Sequence, residues 1–177
     1  FHKKIFYLNF FFFNTKISSI YSIFDINSNW IKVDNNNLTN LKKHLNSSYE
    51  KINLIIGSPF VELKQLSKLE YQNIIKKVVS DFQESKIIYI PHPRENINDI
   101  SEYLLNKNIY IINPKICIEI DLIKKKYKPV KIFSFMSTAS YSLKLIYPDC
   151  ISISYLVNYA NTALRKEYNE IAEFYKT

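Results

Sequence analysis

Apolar and polar positions alternate in blocks along most of this chain. From Lys51 onward, short and almost continuously apolar runs cover Ile52–Ile56, Ile87–Ile90, Ile109–Ile112, Val130–Phe135 and Ile151–Tyr155. Such runs, bounded by Gly, Pro or Asn, read as strands buried on both faces. Between them, apolar residues recur at helical spacing. Ser67 with Glu70 three positions later has the spacing of a capping box, and Ile74, Ile75, Val78, Val79 and Phe82 follow on one helical face. Further helices are predicted over Ile97–Asn106, Ile116–Lys126 and Ser137–Ile146, and a closing one over Asn161–Tyr175.

Single helices alternating with apolar strands predict an α/β fold, a doubly wound, Rossmann-like parallel sheet spanning residues 47–177. Residues 1–46 fit that pattern less well. Lys4–Phe12 and Ser19–Phe24 look like two strands, and Asn35-Asn36-Asn37 like a loop or linker, so this stretch reads as the tail of a preceding domain. The run Phe10–Phe13 is cut off by Asn9 and Asn14, far short of the ~20 apolar residues of a membrane span. A buried strand is its better reading. The chain opens on Phe1 rather than Met, which predicts further sequence upstream.

Composition narrows the function classes. The chain has 177 residues, 47% of them hydrophobic, and a single glycine, Gly57. A Rossmann glycine fingerprint and a Walker A loop each need several glycines, because only glycine lets backbone approach a phosphate so closely. Both are excluded. The net charge of +8 is nearly all lysine, with Arg94 and Arg165 the only arginines. Nucleic-acid recognition favours arginine's planar fork, so no nucleic-acid partner is expected. Lys124-Lys125-Lys126 reads as a solvated helix end or as a surface for anionic lipid or glycan. Cys117 and Cys150 lie far apart without a CxxC or His partner, in apolar runs, and read as small core residues. No metal site is expected.

In an open parallel sheet, ligands bind beyond the carboxyl ends of the strands. Three polar turns are expected there: Gly57-Ser58-Pro59, Pro91-His92-Pro93-Arg94-Glu95 and Ser137-Thr138. His92 stands between two prolines that stiffen the backbone. Its imidazole, next to Arg94, suits an anion, or is a hydrogen-bonded loop residue. Ser137 and Thr138 open a helix, where hydroxyls, free N–H groups and the dipole make an anion site, or serve as a plain N-cap.

The order Ile-Ile-Gly-Ser-Pro, Tyr-Ile-Pro-His-Pro-Arg-Glu and Ile-Phe-Ser-Phe-Met-Ser-Thr-Ala resembles the bacterial lipooligosaccharide sialyltransferases of glycosyltransferase family 52. The resemblance runs from about Ile20 to Tyr155. It implies the C-terminal, nucleotide-binding half of a two-domain GT-B enzyme. CMP-sialic acid would be the donor and a galactose-type lipooligosaccharide glycan the acceptor, with inverting transfer and neither metal nor cofactor. On that likeness His92 would hold the CMP phosphate and stabilise the leaving group, with Gly57 and Arg94 beside it, and Ser137 with Thr138 would donate to the same phosphate. Glu119 would match an acid at the ribose, or be a helix-surface carboxylate. A homodimer and a cytoplasmic or peripheral inner-membrane location also fit the resemblance.

Two positions depart from the family. Its general-base carboxylate just after Gly-Ser-Pro is Phe60 here, and Glu62 is the nearest substitute. Its Asp-Asp-Gly motif survives only as Asp25, followed by Ile26-Asn27. The alternative is therefore a truncated or inactive relative, or an enzyme using another sugar nucleotide.

Overall fold

The computed structural model describes residues 19–24, 32–45, 48–82, 85–107, 109–135 and 137–155. Two short parallel strands, β1 (Ser19–Ser22) and β2 (Lys32–Asn35), form a small sheet, followed by one helical turn, α1 (Thr39–Lys42). The main body then runs β3 (Glu50–Ile56), α2 (Lys68–Asp81), β4 (Lys86–Ile90), a 3-10 turn (Ile97–Asp99) and α3 (Ser101–Asn106). It continues with β5 (Tyr110–Ile111), α4 (Ile118–Lys124), β6 (Tyr127–Ser134), α5 (Thr138–Ile146) and β7 (Ile151–Ser154). Strand order is β5-β4-β3-β6-β7 and every pairing is parallel.

Alternation along the central strands builds two cores. Ile55, Ile87, Tyr89 and Phe133 face α2 and α3, packing with Tyr71, Ile75, Val79 and Leu104. Their neighbours Leu54, Ile88, Ile90 and Ile132 face α4 and α5, packing with Ile118, Leu122, Leu143 and Ile146. Helices on both faces explain why these strands are apolar at nearly every position. The doubly wound α/β reading holds. Leu38, Leu41 and Leu45, around α1, pack against the second core.

Local chemistry sets the boundaries. Ser67 caps α2 reciprocally with Glu70: Glu70 N–H donates to Ser67 Oγ at 3.2 Å, and Ser67 N–H donates to Glu70 Oε2 at 2.8 Å. Ser67 Oγ–H also donates to Glu70 Oε2 at 2.6 Å, and this bond, ahead of the one from Ser67 N–H, holds the Glu70 carboxyl below its ordinary pKa. β6 begins at Tyr127, earlier than the Val130 expected, because Pro129 is absorbed where the β3–β6 register shifts between Ile52 and Asn53. A proline cannot donate to the ladder, and a bulge is one of the few places a strand accepts it. The helix expected over Ile97–Asn106 is a 3-10 turn followed by α3, and β5 has only two residues. Cys150 is buried as expected, whereas Cys117 is exposed, because it caps α4 outside the two packed layers. The expected Lys4–Phe12 strand, the Asn161–Tyr175 helix, and Asp25 with Ile26-Asn27 lie outside the described residues.

No helix among the described residues is long and apolar enough to cross a membrane.

Candidate functional site

β3 is the first strand of the main sheet, and the chain adds β4 and β5 on one side of it, then β6 and β7 on the other. The winding therefore reverses between β3 and β6, and the crevice beyond their carboxyl ends is where such sheets bind ligands. The three polar turns all leave this edge: 57–59 after β3, 91–96 after β4 and, following β6, Ser137-Thr138 at the start of α5. His92 and Ser137 flank the β3 turn from either side, on strands separated by β3 itself. Two inter-strand spacings put their strand ends roughly 10 Å apart.

His92 is half-buried, and its Nδ1 accepts the Arg94 backbone N–H at 3.1 Å. In a neutral imidazole that bond assigns the ring proton to Nε2. Burial holds the His92 pKa below the ordinary imidazole value, and the Arg94 charge lowers it further, against a smaller opposite pull from Glu62. The neutral ring is thus favoured, with Nε2 as a donor. Arg94 is exposed.

Glu62 is exposed and accepts the Asn96 backbone N–H at 2.6 Å through Oε1, tying the segment after β3 to the His92 turn. Phe60, at the position where a base carboxylate was looked for, is buried. Its ring meets Phe135 edge-on at 5.3 Å between centroids. Phe135 also stacks on Tyr71 and meets Phe133 and Tyr155, so an aromatic cluster underlies the β3 and β6 turns.

Ser137 is the N-cap of α5: its Oγ accepts Ala139 N–H at 3.2 Å, and its carbonyl accepts Ser140 Oγ–H at 2.6 Å. Thr138 is exposed in the first turn. Ser134, the last residue of β6, pairs with Ile56 and has a buried hydroxyl without a hydrogen-bond partner. Nothing in the one-dimensional pattern distinguished that serine from a strand filler. Glu119 lies in the first turn of α4 and accepts a hydrogen bond from Ser142 Oγ on α5. That bond ties two helices together at the same edge of the sheet.

Gly57 has ordinary backbone dihedrals, so its role is space. A Cβ there would overlap Glu95 Oε2 outright and stand 2.5 Å from the Tyr89 hydroxyl. Glu95 stands in one of the expected polar turns, but sequence reasoning assigned it no role of its own. Its Oε1 accepts from Tyr71 OH at 2.8 Å and from Tyr89 OH, and its Oε2 accepts His92 N–H at 2.9 Å. Burial raises the Glu95 pKa above the usual carboxylate value, while these donors pull it back. Among the described residues there is no cluster of three or more His, Cys, Asp or Glu able to hold a metal ion.

A family model described as alpha-2,8-polysialyltransferase (POLYST) matches residues 8–157. The chain belongs to this sialyltransferase family. The match spans every candidate residue from Gly57 to Thr138. It is to the polysialyltransferase type; the lipooligosaccharide type suggested by the motifs shares with it the broader sialyltransferase assignment. No curated protein matches the chain. In this sialyltransferase-family chain the polar turns around the β3–β6 reversal form the candidate active site.

Proposed function

We propose that residues 47–177 bind the donor in a GT-B sialyltransferase that moves sialic acid from CMP-sialic acid to a glycan, with residues 1–46 belonging to the acceptor-side domain. The observation that carries this reading is the placement of His92, whose Nδ1 accepts Arg94 N–H, and of the Ser137-capped start of α5 on the two sides of the reversal point.

A CMP phosphate between them would accept from His92 Nε2–H, from the Ser137 and Thr138 hydroxyls and from backbone N–H at the start of α5. Arg94 adds positive charge from the rim. Glu119, at the same sheet edge, is the candidate for the ribose. The acceptor hydroxyl attacks the anomeric carbon as the bond to the phosphate breaks, inverting the configuration. The electron pair leaves with CMP, and the hydroxyl proton goes to a carboxylate, for which Glu62 is the candidate. The departing charge sits on one phosphate, so fixed donors and a helix N-terminus supply the stabilisation, and the reading calls for no metal.

The family's description makes a sialic-acid-terminated glycan the first acceptor to try, and the motif resemblance makes galactose-terminated lipooligosaccharide the second. A lipid-linked acceptor would place the enzyme at the cytoplasmic face of the inner membrane. The burial of Phe60 favours a second reading, a relative that binds donor but does not transfer.

Calorimetric titration with CMP tests the proposal. A hydrogen bond to a charged group contributes about 1.5–3 kcal/mol, so His92→Ala should weaken CMP by about ten- to a hundredfold. No CMP binding by the wild type, or an unchanged constant in His92→Ala, sinks it. CMP binding with no transfer to either acceptor selects the second reading. Transfer that persists with chelator present, and falls in Glu62→Gln, supports the mechanism as written.

A further inference from the structure

The single glycine of the chain and the Glu95 network are two views of one feature. Glu95 reaches back beneath its own turn. Its carboxylate touches the His92 backbone through Oε2, and Tyr71 of α2 and Tyr89 of β4 through Oε1. Tyr71 OH lies 2.9 Å from Tyr89 OH and also accepts Ser58 N–H at 3.0 Å. Both tyrosines are buried, at 2% and 0% exposure, and burial leads the forces raising their hydroxyl pKa values. The three side chains thus connect the β3 turn, α2, β4 and the His92 turn. The same turn is closed by Glu95 N–H donating to His92 carbonyl at 2.9 Å. No residue with a Cβ fits at position 57 while that carboxylate is in place.

We propose that Glu95 is a positioning residue for His92. Its carboxylate, seated in the space left by Gly57 and fastened by Tyr71 and Tyr89, holds the Pro-His-Pro turn. In that turn His92 Nδ1 faces Arg94 N–H and the ring proton stays on Nε2. The proposal rests on the reading of His92 as the phosphate donor, but its first readout does not.

The test is nitrogen NMR of histidine-labelled protein near pH 8, with the His92 resonances assigned by their loss in His92→Asn. The wild type should show the Nε2–H tautomer. Glu95→Ala should give averaged tautomer shifts at His92 while His44 stays unchanged, and the CMP constant should weaken by about tenfold, matching one hydrogen bond lost. Gly57→Ala should reproduce both effects without altering any atom of Glu95, by expelling the carboxylate. The double variant Gly57→Ala/Glu95→Ala should be no worse than either single one, because the second change removes what the first displaces.

Wild-type tautomer shifts in both single variants overturn the proposal, and so does simple additivity in the double variant. If Glu95→Ala does not fold, Glu95→Gln and Glu95→Leu decide. The glutamine amide can still accept His92 N–H through oxygen and donate to the tyrosine hydroxyls through nitrogen, so His92 should keep the Nε2–H tautomer there. Glu95→Leu, which offers no acceptor, should lose it, and wild-type tautomer shifts in Glu95→Leu would again overturn the idea. Absence of CMP binding in the wild type would refute the donor-site reading while leaving the tautomer result to judge Glu95.

Discussion

Replacing Phe60 by alanine and by glutamate separates a core role at that position from a catalytic one. Phe60 is 8% exposed, and its ring packs edge-to-face on Phe135. Burying a phenylalanine contributes about 1.5–3 kcal/mol, and an aromatic pair adds about 0.5–1.5 kcal/mol. With incomplete collapse of the cavity, Phe60→Ala should cost about 3–5 kcal/mol. With a urea slope of about 2 kcal/mol per molar, the midpoint should fall by about 2 M. Phe60→Glu should cost more, since its carboxylate must stay neutral, or turn outward and open the cluster. Urea denaturation followed by circular dichroism gives both values, and transfer from CMP-sialic acid is assayed on the same samples. If the carboxylate were needed here, Phe60→Glu would raise transfer at little cost in stability. A cost below about 1 kcal/mol for alanine, or a gain of transfer in the glutamate variant, would refute the placement of Phe60 in the core.

Other outcomes follow from the turn chemistry. Arg94→Ala should raise the His92 titration midpoint and Glu62→Gln should lower it, both read by proton NMR; shifts of the opposite sign would contradict the geometry. Because His92 is held below the ordinary imidazole value, its contribution to stability is present above that value and fades as pH falls through the lowered one. Ser67→Ala should cost about 1 kcal/mol in urea denaturation by undoing the capping box, and leave CMP affinity unchanged. Lys126 sits after α4 with φ of 58°, so Lys126→Gly should stabilise the fold by about 0.5 kcal/mol, the relief of left-handed strain exceeding glycine's entropy cost. Thermal denaturation checks it.

The parts of the fold that could be read from the chain are those whose cause is local or periodic. Ser67 and Glu70 announce α2 because a capping box needs only residues three apart. The five strands of the main sheet announce themselves because a sheet covered on both faces has no polar side to break the run. β2 went unseen: four residues, Lys-Val-Asp-Asn, have no such signature. The start of β6 at Tyr127 was not legible either, because Pro129 is accommodated by a register shift against Ile52 and Asn53, far away in sequence. Glu119 could be placed on a helix, but not opposite Ser142, 23 positions later. His92 and Ser137 were visible because strand-end turns concentrate chemistry. Glu95, three residues from His92, was not, because its partners Tyr71 and Tyr89 look in one dimension like ordinary core aromatics.

Glycine usage shows how this site differs from the glycine-rich nucleotide folds. Left-handed backbone occurs at Leu38, Lys64 and Lys126, positions where glycine would be the usual choice. Among the described residues that strain is accepted three times, yet glycine stands at a residue whose dihedrals any amino acid could adopt. Selection for backbone freedom therefore does not explain Gly57; the carboxylate of Glu95 does. In a glycine-rich loop the missing side chain lets the backbone approach a phosphate directly. Here it admits an internal carboxylate, which in turn grips the His92 turn, while Pro91 and Pro93 stiffen the same turn from either side. On the proposed function, anion recognition at this edge of the sheet would then fall to a side chain held from below and to the start of α5. A wrapped loop is not required, and one glycine is enough.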